Sequence, residues 1–378
     1  MNETQLPTVA TWLAEPLTKD VAQSLDRLRR AEDVRYVAVM PDVHLAADVC
    51  VGTVVATREL VYPAAIGGDI GCGMAAVAAD ADATLFANGQ SAAKLLRGLA
   101  ACVPGNKHSA KRPLTAELVA IGLSDPQLLK AADRDGRVQL GTLGRGNHFL
   151  EFQSDDEDRL WIMLHSGSRA MGQSITRFHL ERARSPHSRL PALEARSQAG
   201  AAYLHDVTWA RAYAAASRTA MLHATEELLL QLFHVATDWT TLIHTDHNHV
   251  ELETHFAEPW LVHRKGAQRA AEGATAVIPG SMGTASYHVV GRGAERALDS
   301  CSHGAGRRMS RGEASHRVSA RDLLRQMKTV WFDERRAASL RDEAPAAYKD
   351  IRQVLRAQRD LVRITRELRP LVSYKGVG

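Results

Sequence analysis

The stretch "GGDIGCGM", residues 67–74, sets Asp69 and Cys72 three positions apart among glycines. Glycine admits positive φ and close backbone approach, so one turn can aim a carboxylate and a thiolate at the same point. A tight turn around an ordinary buried thiol would leave the same trace, because free cysteine is among the most buried residue types. The histidines shift that balance. His148 follows Asn147 in "GTLGRGNHFLE", His165 ends the apolar run of "MLHSGSRAMG", and "HTDHNHVELE" carries His244, His247 and His249. Each alone reads as a core or surface group; together they place imidazoles repeatedly at strand ends among Gly, Ser and Asn. A mixed Asp/Cys/His shell suits a borderline divalent ion such as Zn²⁺, Mn²⁺ or Fe²⁺, and the lack of paired thiolates speaks against a structural zinc cage. Spacing does not choose among the three.

"SCSHGAGRRMSR", residues 300–311, raises a different chemistry. His303 stands among residues too small to bury it, followed by Arg307, Arg308 and Arg311. One reading is a turn on a solvated surface. The other is a nucleophilic imidazole whose loop lets a phosphate approach the backbone while guanidinium groups hold its charge. Arginines at 292, 296, 317 and 321 add to the local bias but read mostly as solvated surface. "HRKGAQRA" (263–270) and "IPGSMGTASYH" (278–288) have the make-up of anion-binding loops, with Gly/Ser turns to expose N–H groups and Arg264 and Lys265 to supply charge. Neither is a Walker motif, and "GTLGRG" orders its glycines wrongly for a dinucleotide fingerprint.

The elements that must position these groups are partly visible. "VRYVAVM" (34–40) reads as a strand running into "PDVH". "GTVVAT" (52–57), "MAAVAAD" (74–80) and "RLWIMLHSGSR" (159–169) repeat the layout of a buried strand meeting a glycine-bearing turn. "TTLIHTDHNHVELETH" (240–255) begins as a strand and becomes polar. Helical spacing runs through 203–233, whose length predicts a break, and through 348–368. Strands and helices do not alternate strictly, which disfavours a doubly wound sheet and points to mixed α and β.

Composition bounds the rest. A length of 378 residues allows two to three units at about 150 residues each, and the 45% hydrophobic and 24% charged fractions are those of a soluble globular chain. The net charge of +4 is too small for a sequence-wide polyanion binder, so any nucleic-acid contact must come from local clusters. The N-terminus lacks the pattern of a signal peptide, and no apolar run approaches a membrane span, so no membrane partner is expected. Cys50, Cys72, Cys102 and Cys301 are scattered without a CxxC pair, which fits a reducing cytoplasm.

Taken in order, "MPDVH", "GGDIGCGM", "GTLGRGNHFLE", "LHSGSR", "HNHVELE", "RKGA", "IPGSMGT", "SCSHGAGRRMSR", "EAPAAYKD" and the terminal "YKG" resemble the motifs of the RtcB family of GTP-dependent RNA ligases, from residue 40 to residue 376. The resemblance implies a single α+β domain over residues 1–378, with packed β-sheets around a central metal and nucleotide cleft, flanked by helices. It implies one or two Mn²⁺ ions held by Asp69, Cys72, His148, His165 and His247, and GTP as the second cofactor. His303 would be the guanylylated nucleophile. Asp42 would be a catalytic group near the metals, although a capping aspartate is the bland reading. Asn147 and Glu151 would contact GMP, Glu151 through the guanine edge, and Ala305 and Gly306 would offer N–H groups to phosphate. Ser281, Tyr348 and Lys375 would help enclose the nucleotide, with Arg169, Lys265, Arg307 and Arg311 as phosphate or nucleic-acid contacts.

The implied reaction has His303 attack the α-phosphorus of GTP, releasing pyrophosphate. GMP then passes to an RNA 3′-phosphate, and a 5′-hydroxyl expels it to seal the strand. A 2′,3′-cyclic phosphate would first be opened by metal-activated water. The implied partners are RNA with such ends and an archease-like activator, in cytoplasmic RNA repair or tRNA splicing. One departure stands out: where the family carries HxGxG, this chain has "HLAADVCVG", with Ala46 and Asp48 in place of the glycines. Without positive φ the loop 45–50 should take another path, and Asp48 adds negative charge where a nucleic-acid end would approach. Two alternatives follow: a guanylyltransferase that caps 3′-phosphate ends of RNA or DNA without sealing, and a non-catalytic protein that binds metal and RNA ends.

Overall fold

Val34–His44 carries the expected strand through "PDVH", with side chains buried almost throughout, as a strand covered on both faces requires. It is seen in a computed structural model that describes residues 7–184 and 190–376. The strand pairs in parallel with Thr8–Thr11 and antiparallel with Val51–Thr57, and Glu258–Lys265 and Asn248–His255 complete a five-stranded sheet. A seven-stranded antiparallel sheet runs in the order Thr275–Ile278, Ser286–Gly291, Val362–Tyr374, Phe149–Ser154, Arg159–Ser166, Gly73–Asp82 and Thr237–Asp246. The fold is α+β. The edge strand Thr237–Asp246 of the second sheet and the edge strand Asn248–His255 of the first are separated only by His247, which makes that residue the corner between the sheets.

Alternation along Gly73–Asp82 explains how one sheet serves both a core and a site. Ala75, Val77 and Ala79 pack on one face against Leu95 and Leu99 of helix Gly89–Cys102 and Met221 and Leu222 of helix Gln198–Phe233. Met74, Ala76 and Ala78 point the other way, with Trp161, Met163 and Leu368. The period of two sends Glu151 and His165 to polar surroundings while Leu150 and Leu164 stay in the core.

Three expectations are corrected. The helix over 203–233 has no break: Gln198–Phe233 is continuous, capped by Ser197 at its start and closed by His234 at φ 58°. Its first half is buried with Tyr203, Val207 and Tyr213, and its second with Met221, Leu222 and Leu229. Two successive cores, rather than one amphipathic stripe, hold it. The helical zone over 348–368 contains only Ile351–Ala357; Val362–Tyr374 is a strand whose two register shifts hid its alternation. The segment 240–255 is two strands bent at His247. Among the described residues, no helix is long and apolar enough to cross a membrane.

Candidate metal and nucleotide site

Strand register gathers the ligand types. His165 lies opposite both Phe149 and Met74, and Gly73 lies opposite both Ser166 and Asp246. His148, His165, Cys72 and His247 therefore come together at one end of four neighbouring strands. Cys72 Sγ is 3.3 Å from His165 Nε2 and 3.5 Å from His148 Nε2, His165 Nε2 is 3.3 Å from His247 Nε2, and His148 Nε2 is 3.1 Å from Asp69 Oδ2. Two three-ligand groups result, Cys72/His165/His247 and Asp69/Cys72/His148, sharing the sulfur. Glycine makes room for them: a Cβ on Gly167 would lie 2.3 Å from Asp69 Oδ2, and one on Gly144 2.2 Å from His148 Nδ1.

The donor set fits a metal ion. His165 Nδ1 lies 3.2 Å from the Asn147 carbonyl, which can only accept, so Nδ1 carries the proton and Nε2 presents its lone pair to Cys72 and His247. Nitrogen ligands at about 2.1 Å from a tetrahedral ion sit roughly 3.4 Å apart, close to the spacing seen here. Burial, reinforced by neighbouring imidazoles, pushes His165 and His247 well below the ordinary histidine value and keeps them neutral, the form that binds metals. Burial also pushes the Cys72 thiol up, aided by the Asp69 charge, so its thiolate needs a cation. For Asp69 burial opposes ionisation, but the His148 hydrogen bond and charge outweigh it and hold the carboxyl at about 2.

His303 follows the short strand Ser300–Ser302. Asp42, buried at 0% exposure in Val34–His44, accepts from the His303 backbone N–H at 3.1 Å and faces Nδ1 at 2.6 Å. The Asp42 carboxylate can accept the His303 Nδ1–H, and among the described residues Nε2 makes no hydrogen bond. The ring stands 4.8 Å from that of His247, so His303 and the Cys/His cluster are neighbours. Gly306, at φ 73°, lets the loop pass where a Cβ would lie 2.2 Å from the Asp42 carbonyl.

A cavity of about 730 Å³ opens beside His303. Asn147, Glu151, Ser281, Ala305, Gly306, Arg307, Arg311, Tyr348 and Lys375 all line it, as does His303. Arg169 and Lys265 lie outside its wall: Arg169 donates to the Gly105 carbonyl at 2.9 Å, and Lys265 to the Ala64 carbonyl at 3.1 Å. The anion-loop reading fails for Arg264, which is fully buried, ion-paired with Glu253 and bonded to Ser300 Oγ at 2.9 Å. His244 and His249 form a layer behind the ligands, His244 accepting from Arg218 at 2.7 Å and His249 pairing with Asp246 at 2.7 Å.

A family model described as tRNA-splicing ligase RtcB matches residues 25–122 and 119–376. The chain belongs to the RtcB family. It is 37% identical over 393 residues to RNA-splicing ligase RtcB1 of an Escherichia coli strain, covering 96% of this chain and 95% of the relative. To RNA-splicing ligase RtcB of Escherichia coli K12 it is 36% identical over 398 residues, with the same coverage. To RNA-splicing ligase RtcB of Mycobacterium tuberculosis it is 32% identical over 304 residues, 68% of this chain and 69% of the relative.

Three residues of this RtcB-family site escaped sequence reasoning. Glu343, 3% exposed, accepts from Tyr348 OH at 2.7 Å and Lys375 Nζ at 3.1 Å, and pairs with Arg311 at 2.7 Å and Arg307 at 3.2 Å. It holds four cavity-lining groups at once. Its only sequence signal was its place in "EAPAAYKD". Arg218, buried in the long helix, donates from one nitrogen to the Gly71 and Ser166 carbonyls, both at 2.8 Å, the neighbours of Cys72 and His165. Nothing local distinguishes it from other helical arginines. His44, third, lines the cavity beside His303. In the loop 45–50, Asp48 is exposed; burial lowers the Lys265 ammonium and the Asp48 charge partly offsets that fall.

Proposed function

We propose that this chain is a GTP- and Mn²⁺-dependent RNA ligase, joining 3′-phosphate or 2′,3′-cyclic phosphate ends to 5′-hydroxyl ends in cytoplasmic RNA repair or tRNA splicing, with residues 1–378 acting as one ligase domain. The observation that carries the reading is His303, oriented by a buried carboxylate, with its bare Nε2 beside a Cys/His cluster and a nucleotide-sized cavity. Asp69, Cys72, His148, His165 and His247 would hold one or two ions, with Mn²⁺ taken from the family resemblance. When bound, such an ion supplies positive charge that offsets the phosphates.

The chain's own residues account for the first step. His303 Nε2 bonds to the α-phosphorus of GTP while the bond to pyrophosphate breaks and the electron pair leaves with it. Asp42 offsets the charge that grows on the ring through the Nδ1–H bond. Ala305 and Gly306 offer N–H groups to the phosphate, and Arg307 and Arg311, anchored on Glu343, fix positive charge around it. Asn147, Glu151, Ser281, Tyr348 and Lys375 take the rest of the nucleotide; Arg169 and Lys265 would meet RNA phosphates only outside the cavity. An archease-like activator remains part of the proposal on resemblance alone.

Ala46 and Asp48 favour one second reading, a guanylyltransferase that caps 3′-phosphate ends without sealing. Incubation with α-labelled GTP and Mn²⁺ is expected to give an acid-labile protein adduct, lost in His303→Ala. Adding RNA with 3′-phosphate and 5′-hydroxyl ends then separates joined from merely capped product. A wild-type chain that takes no label under these conditions would leave the non-catalytic binder as the better account.

A further inference from the structure

Asp42 carries two imidazoles. Its carboxylate faces His303 Nδ1 at 2.6 Å, and its main-chain carbonyl faces His44 Nδ1 at 2.9 Å. A carbonyl oxygen only accepts, so His44 Nδ1 is the protonated nitrogen and Nε2 keeps its lone pair. Among the described residues, that Nε2 makes no hydrogen bond. The rings of His44 and His303 are 6.4 Å apart and 27° from parallel, and both line the cavity. Lys349 clamps the strand end beneath them, donating to the Val43 carbonyl at 2.6 Å and the Pro41 carbonyl at 3.1 Å.

We infer that His44 is a second catalytic imidazole, the proton acceptor for the RNA 5′-hydroxyl in the sealing step; this rests on the ligase reading. Burial holds its ring neutral, down to about 4, with the Asp42 carbonyl and carboxylate pulling the other way and His303 and Lys349 adding to the fall. The cavity wall also includes Leu45 and Ala46, the residues that follow His44. In the step, the 5′-hydroxyl proton passes to His44 Nε2 as the oxygen bonds to the RNA 3′-phosphorus. The bond from that phosphorus to the oxygen bridging to GMP breaks, GMP leaves with the electron pair, and the imidazolium returns its proton to solvent. The two imidazoles thus divide the chemistry: His303 bonds to phosphorus and His44 moves a proton.

Single-turnover reactions of the full chain with α-labelled GTP, Mn²⁺ and RNA bearing 3′-phosphate and 5′-hydroxyl ends resolve three products: protein adduct, capped RNA and joined RNA. Glutamine at the position can accept a hydrogen bond but cannot carry the proton away. In His44→Gln, joining is expected to fall about 100-fold or more, with capped RNA accumulating. Adduct formation in the same sample reports that the variant is folded and that its first step runs. Joining at the wild-type rate overturns the inference, and so does a loss of adduct parallel to the loss of joining, which would place His44 in the first step or in folding. A wild-type chain that takes no label sinks the ligase reading itself.

Discussion

Burial pushes the Glu151 carboxyl up to about 8, against the pull of Gln153, Lys375 and Ser373. At neutral pH it is therefore held protonated, whereas the guanine N1–H and amino group that Glu151 is proposed to meet are donors that call for a carboxylate. Binding at pH 7 must then expel a proton. The sign follows: affinity for guanosine, which has no phosphate of its own to titrate, should rise about tenfold per unit as pH climbs from 6 toward 8, then level off. Calorimetry between pH 6 and 8.5, in buffers of different ionisation enthalpy, measures both the slope and the released proton. Glu151→Gln should abolish the slope. A wild-type affinity flat across that range would mean that Glu151 does not meet the guanine edge.

At the scale of elements, the site depends on loops held by something rigid behind them, and Arg218 is that link. It reaches from helix Gln198–Phe233 to the carbonyls beside Cys72 and His165 and to His244. Arg218→Met would leave these buried acceptors unpaired, at about 1–3 kcal/mol each. Mn²⁺ affinity, measured by titration calorimetry at a temperature where the variant is still folded, is expected to drop about 10- to 100-fold, the usual effect of losing a group that orients ligands. Unchanged Mn²⁺ affinity alongside a lowered melting temperature would make Arg218 a packing residue only. The same residue shows where the sequence is mute. His148, His165 and Cys72 were legible because each borders an apolar run and is followed or preceded by Gly, Ser or Asn, the trace of a strand end meeting a loop. Arg218 and Glu343 act across tens or hundreds of positions, through contacts that leave no local pattern. The strand Val362–Tyr374 was misread for a related reason: its register shifts beside Ile364–Arg366 and again beside Pro370–Val372, and its arginines are spread over both faces, so no steady alternation marks it.

Over the whole molecule, the candidate metal ligands lie where the two sheets meet. Cys72, His148 and His165 sit at strand ends of the seven-stranded sheet, and His247 is the corner where the chain turns into the five-stranded one. An ion held by all of them binds the folded chain and not the unfolded one, so it stabilises by mass action: about 2.7 kcal/mol at a hundredfold excess over Kd. For a chain of this size that corresponds to a rise in Tm of roughly 5 °C, at about 2 °C per kcal/mol. The metal-free protein should still fold, because His165 and His247 are kept neutral and crowd together without charge repulsion. The rise should also depend on pH with a definite sign. The buried Cys72 thiol must lose its proton to serve as a ligand, so the shift on adding Mn²⁺ grows between pH 6.5 and 8. Melting curves after exhaustive chelation, with and without Mn²⁺ at both pH values, test this directly. Cys72→Ala should lose most of the shift and its pH dependence, having removed the sulfur that both three-ligand groups share. Equal melting temperatures with and without the metal would show that these side chains, though close, do not act together as a site.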